Sequence, residues 1–127
     1  MPLDNRLTAV VEAARSKKAL RIRLLDVKDR CSFTDTFAFM SGSSDRQNRA
    51  IADAIEEVLK RDFDTRTLSS EGHEPGTWVL LDFGDLVVHV MDPEMRAHYN
   101  LEGLWKEGLE LELPPEVHPT LGTTVQP

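Results

Sequence analysis

The stretch that most constrains what this chain can fold into runs from Gly76 to Met91. It reads Gly-Thr-Trp-Val-Leu-Leu-Asp, turns at Phe83-Gly84-Asp85, and returns as Leu-Val-Val-His-Val-Met. Two runs rich in β-branched and aromatic residues around a Gly-containing turn predict an antiparallel hairpin. Primed turns that begin with Gly put Gly84 and Asp85 at the centre. The register then follows by counting: Phe83 faces Leu86, Leu81 faces Val88, and Val79 faces Val90. Side chains alternate along a strand, so these residues share one face, and all of them are apolar. The opposite face carries Trp78, Leu80, Asp82, Val87, His89 and Met91. The first face reads as core. The second mixes apolar bulk with a carboxylate and an imidazole, groups that gather where water leaves an interface.

The flanking segments supply the rest of an α/β domain. Leu7, Val10, Val11 and Ala14 recur at helical spacing after Asp4, a capping residue, which predicts a helix over residues 5–17. Leu20-Arg21-Ile22-Arg23-Leu24 alternates strictly and predicts a half-buried strand, with Arg21 and Arg23 on its solvated face. Thr36–Ser41 reads as a second strand that keeps Phe37 and Phe39 on one side. Ser44 and Gln47 then form a capping-box pattern before a helix over about 45–61, marked by Ala50, Ile51, Ala54, Ile55, Val58 and Leu59. Arg66–Ser69 is a weak strand signal and Ser70–Pro75 a loop. Asp92-Pro93-Glu94 starts another helix, with Asp as cap and Pro at the first helical position. The order is helix, two strands, helix, three strands, helix. It predicts an α/β sandwich of a mixed sheet with flanking helices. Gly108, Pro114, Pro115, Pro119 and Pro127 mark residues 108–127 as a loop-like, mobile tail, leaving 1–107 as the domain.

Composition narrows the function. At 127 residues the chain can bury a core without metal or disulfide, and its one cysteine, Cys31, forms neither an internal disulfide nor a zinc cluster. No apolar run reaches the roughly 20 residues needed to span a membrane, and no signal peptide is visible, so a bacterial cytoplasm is the simplest expectation, and a mature organellar protein would read the same. A net charge of −7 argues against a primary, sequence-specific nucleic-acid binder and suits a basic protein partner.

Chemistry is thinly supported. Gly42-Ser43 and Asp62-Phe63-Asp64 fit superficially the Gly-Ser turn and magnesium-holding carboxylates of a nucleotidyltransferase. The Asp pair follows Lys60-Arg61 at a helix end, however, and no third carboxylate is placed to complete a two-metal site. Asp82-Phe83-Gly84 spells a kinase magnesium tripeptide in a chain that lacks every other kinase element. His73, His89, His98 and His118 have no ligand spacing, and no nucleophile lies near His89 and Asp82. The expectation is a non-enzyme with neither cofactor nor metal. For His89, Trp78 and Trp105, the residues alone leave core and contact roles both open.

The ordered set Asp35-Thr36-Phe37, Ser41-Gly42-Ser43-Ser44, Arg46-Gln47, Glu71-Gly72, Gly76, Trp78, Asp82-Phe83-Gly84-Asp85, Val88-His89-Val90, Arg96, Tyr99-Asn100-Leu101-Glu102 and Leu104-Trp105 resembles the ribosomal silencing factor, or Iojap-like, family. Ala50-Ile51-Ala52-Asp53 matches it too, and the resemblance spans roughly residues 5–107. It implies a sandwich related to the nucleotidyltransferase-like fold. It also implies binding to the large ribosomal subunit through its ribosomal protein number fourteen, a steric block to subunit joining, and repressed translation when nutrients are scarce. Carried over by motif position, the partner-binding residues are Trp78, Asp82, His89, Arg96, Tyr99, Leu101, Leu104 and Trp105. Two departures bear on that contact: His98 stands where the family commonly has an aromatic residue, and Gly103 and Gly108 loosen a segment that is usually more helical. The rival readings are the nucleotidyltransferase-like enzyme and a homodimeric interaction module that pairs through the hairpin and last helix.

Overall fold

A computed structural model describes residues 4–116. Helix α1 (Asn5–Ser16) begins where Asp4 Oδ1 accepts the Leu7 amide at 2.7 Å, and its buried stripe is Leu7, Val10, Val11 and Ala14. Strands β1 (Leu20–Asp26) and β2 (Thr36–Ser41) follow as an antiparallel pair. Helix α2 (Asp45–Phe63) starts at Ser44, whose Oγ accepts the Gln47 amide at 3.1 Å. Gln47 Oε1 reaches back to the Ser43 amide at 2.8 Å, one residue before the cap. The helix outlasts the expected residue 61 and ends at Asp64 in the left-handed conformation.

Strands β3 (Ser69–Glu71), β4 (Trp78–Asp82) and β5 (Leu86–Met91) come next. The β4–β5 register pairs Val79 with Val90 and Leu81 with Val88, while the Phe83 amide bonds the Leu86 carbonyl at 2.8 Å, as the turn predicts. Gly84 makes this turn possible because its φ of +95° is a conformation that side chains strongly disfavour. The strand signal at Arg66–Ser69 lies slightly early: pairing with β4 covers Ser69–Glu71, with one further bond from the Leu68 amide to the Asp82 carbonyl.

The six strands form one sheet in the order β3-β4-β5-β2-β1-β6, and β2 and β5 run parallel while the other neighbours are antiparallel. One face packs beneath α1 and α2. There Leu81, Val88, Val79 and Val90 meet Ile51, Ile55, Leu59 and the α1 stripe in a continuous core. On the other face lies a smaller cluster of Leu25, Val27, Phe37, Phe39 and Val87.

Three expectations are corrected. Strict alternation in β1 fails at its start, where a bulge between Leu20 and Arg23 shifts the register: Ile22 and Leu24 pack with the large core as alternation predicts, but Leu20 is exposed. Arg23 is not a freely solvated side chain either, since it bonds Glu110 and Glu102. The boundary at residue 107 also falls too early. Strand β6 (Leu109–Leu111) pairs with Leu24–Asp26, and Leu111 and Leu113 pack against the large core. A three-residue strand is too short to show a period, so the prolines after it dominated the reading. Residues 117–127 lie outside the described residues.

Removal of residues 108–127 should therefore destabilise the fold. Losing two partly buried leucines and a short hydrogen-bond ladder should cost about 2–4 kcal/mol. An unchanged denaturant midpoint would show that β6 adds nothing to the sheet.

Candidate functional site

The small-cluster face is only partly roofed. After β5, helix α3 (Pro93–Tyr99) is capped by Asp92, whose Oδ1 accepts the Met95 amide at 2.8 Å. Asn100 then takes the left-handed conformation, and the short helix α4 (Leu101–Leu104) turns back across the sheet. A Cβ at Gly103 would lie 2.5 Å from the Asn100 side-chain Nδ2, so the glycine gives that side chain room. Leu101 and Trp105 pack on the small cluster, with the Trp105 ring centred 5.2 Å from Phe37.

Arg96 fixes this arrangement. Its side chain is only 4% exposed, and every nitrogen is engaged. Nε and Nη2 form a fork on Glu102 at 2.8 and 3.0 Å, Nη2 also bonds the Arg21 carbonyl at 2.7 Å, and Nη1 bonds Ser41 Oγ at 3.1 Å. Glu102 also receives Arg23 Nη1 at 3.0 Å. The Arg96 hydrogen bonds, opposed by burial and aided by Arg23, hold the Glu102 carboxyl below its usual range. Arg96 thus faces inward, not toward a partner.

His89 lies at the centre of the open face. It is 5% exposed, its ring stacks on Phe39 at 5.1 Å, and its Nδ1 accepts the Trp78 Nε1 proton at 3.1 Å. Burial pushes its pKa down to about 4, so the ring is neutral near pH 7. With Nδ1 accepting, the ring proton belongs on Nε2, which has no partner among the described residues. Trp78 also meets Tyr99, with ring centroids 5.3 Å apart.

These groups border a groove of about 370 Å³ lined by Phe37, Phe39, Leu80, His89, Leu101 and Trp105. Phe33 forms one rim, 65% exposed yet edge-on to Phe37 and Trp105. Glu71, Ser69 and Asp82 line the end nearest β3. Asp82 Oδ1 accepts the Gly84 amide at 2.8 Å, so this carboxylate both braces the turn and charges the groove. A larger depression of about 680 Å³ between α1 and α2 is lined by Ala9, Ala13, Ala54, Val58 and Phe63 together with polar and charged side chains, and Phe63 is its one aromatic ring.

The structure thus brings Asp82, His89, Leu101 and Trp105 to one groove, and joins Trp78 and Tyr99 to it through His89. Leu104 is 73% exposed and stands apart from the lining. Phe33, Phe37, Phe39, Ser69, Glu71, Leu80 and Val87 also line the groove but are not among the residues carried over from the resemblance, and of these the hardest to find is Phe33. Its only signal is a lone aromatic ring in a polar loop. Asp62 and Asp64 do not converge: Asp62 bonds Arg61 at 2.9 Å, and Asp64 terminates α2. Among the described residues, no group of three or more His, Cys, Asp or Glu side chains is placed to hold a metal.

The family model described as ribosomal silencing factor during starvation matches residues 2–125. This chain belongs to the ribosomal silencing factor family. A ribosomal silencing factor from Halalkalibacterium halodurans is 38% identical over 108 residues, spanning 84% of this chain and 91% of that one. A crystal structure from Chromobacterium violaceum superposes with a TM-score of 0.78 at 34% identity, covering 91% of this chain and 95% of that one. A mouse protein named mitochondrial assembly of ribosomal large subunit protein 1 is 32% identical over 99 residues, covering 76% of this chain and 43% of that one. The ribosomal silencing factor family is one of ribosome-associated translational silencing, and the mixed sheet with flanking helices is its fold.

The depressed His89 pKa carries a sign. The unfolded chain takes up a proton near 6.5, but the folded chain only near 4, so stability falls as pH drops through that window. The loss should approach about 3 kcal/mol at its acid end. His89→Gln should be less stable at pH 7 yet show a shallower acid decline. Identical pH profiles for the two proteins would mean that His89 is not held neutral.

Proposed function

We propose that this chain docks on the large ribosomal subunit through the subunit's ribosomal protein number fourteen and blocks joining of the small subunit by occupying its approach. Translation is thereby repressed when nutrients are limiting. The observation that carries this reading is the open aromatic groove with carboxylates at one end. A rigid apolar floor supplies the dry centre of an interface, and Asp82 and Glu71 give a basic partner its electrostatic match. His89 Nε2, a donor with no partner among the described residues, fits a partner's carbonyl oxygen. The large-subunit name of the mouse relative supports the choice of subunit. Arg96 acts from beneath by holding α4 in place. Tyr99, Leu104 and Phe33 extend the apolar contact beyond the groove.

The work is steric, so no catalysis is required, and the chain acts in the bacterial cytoplasm. Among the described residues, no helix is long and apolar enough to cross a membrane. The exposed side chains around α3 and α4 also give the free chain a surface for self-pairing, which subunit docking would displace.

The chain should co-sediment with large subunits and not with small ones, and should shift a mixture of both away from joined ribosomes. Asp82→Asn is the sharpest variant, because it keeps the oxygen that braces Gly84 while removing the charge. It should leave melting nearly unchanged and weaken subunit binding about tenfold or more. Equal binding to both subunits would overturn the reading. So would full binding by a Trp105→Ala variant that still folds. Asp62→Asn combined with Asp64→Asn should leave silencing intact, and loss of a nucleotidyl-transfer activity in that variant would establish the enzymatic alternative.

A further inference from the structure

Residues 15–23 read Arg-Ser-Lys-Lys-Ala-Leu-Arg-Ile-Arg, so five of the chain's fifteen Lys and Arg residues fall in this short run. No acidic residue lies between Glu12 and Asp26, in a chain whose net charge is −7. The sign of the chain reverses here.

The backbone is unusual at the same place. Lys18 and Arg21 have φ values of +63° and +53°. Lys18 follows α1 in a turn where its amide bonds the Arg15 carbonyl and the Ala19 amide bonds the Ala14 carbonyl, a helix end whose left-handed residue is usually Gly. Arg21 occupies the β1 bulge. The other non-glycine residues with positive φ are Asp64 and Asn100, among the types most often found there. Long cationic side chains therefore stand at two positions where Gly would relieve the backbone. Local stability does not explain them.

Pairing sorts these cations. Arg23 is committed to Glu110 and Glu102, and Arg15 to Glu116 and the Pro114 carbonyl. Lys17, Lys18 and Arg21 are exposed and have no carboxylate partner among the described residues. Lys106, also exposed, joins Arg21 in lining a cleft of about 270 Å³ together with Arg23, Arg96, Asn100 and Glu102. Both oxygens of Glu102 are already taken by Arg96 and Arg23, so Arg21 and Lys106 are left uncompensated. This cleft lies beside the aromatic groove. Leu101 and Trp105 line the groove, while Glu102, Gly103 and Lys106 line the cleft.

We propose that Lys18, Arg21 and Lys106 form a second contact surface that grips an RNA sugar–phosphate backbone without reading its sequence. Flexible cations around a polar cleft match a row of phosphates. An acidic protein surface is the poorer match, because Leu20 is the one large exposed apolar group in residues 15–23 and cannot supply a dry interface centre. The proposal rests on the docking reading only for the source of the RNA, which is the large subunit next to the protein that the groove engages.

The test uses Lys18→Gly combined with Arg21→Gly, which keeps the Arg21 carbonyl that Arg96 requires. Binding is measured against salt, with isolated large subunits as one probe and a protein-free RNA duplex as the other. The double variant should melt no lower than the parent, and the slope of log affinity against log salt should shrink by about two. An unchanged slope on subunits overturns the proposal, and so does a photo-crosslinker at Leu20 that labels ribosomal protein and not RNA. If the parent ignores subunits but binds the duplex with a slope that the variant loses, the phosphate surface stands and the docking reading fails. Binding to neither probe overturns both.

Discussion

A guanidinium withdrawn from water is tolerated only if its donors are matched, and Arg96 meets that condition with parts from four places in the chain. Glu102 supplies the carboxylate, Ser41 a hydroxyl at the end of β2, and Arg21 a carbonyl in the β1 bulge, while Arg96 itself rides on α3. Deleting Glu102 leaves a buried guanidinium without its counter-charge, at a cost of about 3–5 kcal/mol, whereas deleting Arg96 leaves Glu102 still bonded to Arg23. The pair does more than add stability. It ties the bend at Asn100 to the sheet, so that Leu101 and Trp105 line the groove without filling it. Arg23 extends the network to Glu110 on β6, which links the roof of the groove to the edge of the sheet.

The hairpin divides labour between the two sides of the sheet. Alternation along β4 and β5 sends Val79, Leu81, Val88 and Val90 to the core under α2, and Leu80, Asp82, Val87 and His89 to the open side. A slip of one residue would exchange these sets and bury a carboxylate among aliphatic groups. The turn at Gly84 prevents that slip, and Asp82 reinforces the turn with its own side chain. One carboxylate therefore serves both folding register and surface charge.

Most of the fold was legible because its signals are local. The helix caps, the Gly84 turn and the alternation of β4 and β5 each depend on a few adjacent residues, and each appears where the sequence puts it. What escaped depends on contacts far apart in sequence. Arg96 reads as a surface cation until Ser41 and the Arg21 carbonyl are brought against it. The β1 bulge defeats simple alternation, because one extra residue takes Leu20 out of step with Ile22 and Leu24. Strand β6 carries too few residues for a period, and Phe33 sits in a loop where no period exists. For the site, the sequence located the hairpin and the segment after it. It could not tell which of those residues line the groove and which hold it open.

Membership of the ribosomal silencing factor family ties this chain to ribosome-associated translational silencing, and the proposed docking makes the open groove its contact surface. Hydrogen exchange of the chain, free and bound to large subunits, tests this most directly. The account predicts that binding slows exchange at Phe33 and its loop neighbours and across residues 99–106, while the outer faces of α1 and α2 exchange as before. Protection confined to α1 and α2, with residues 99–106 unchanged, would contradict it.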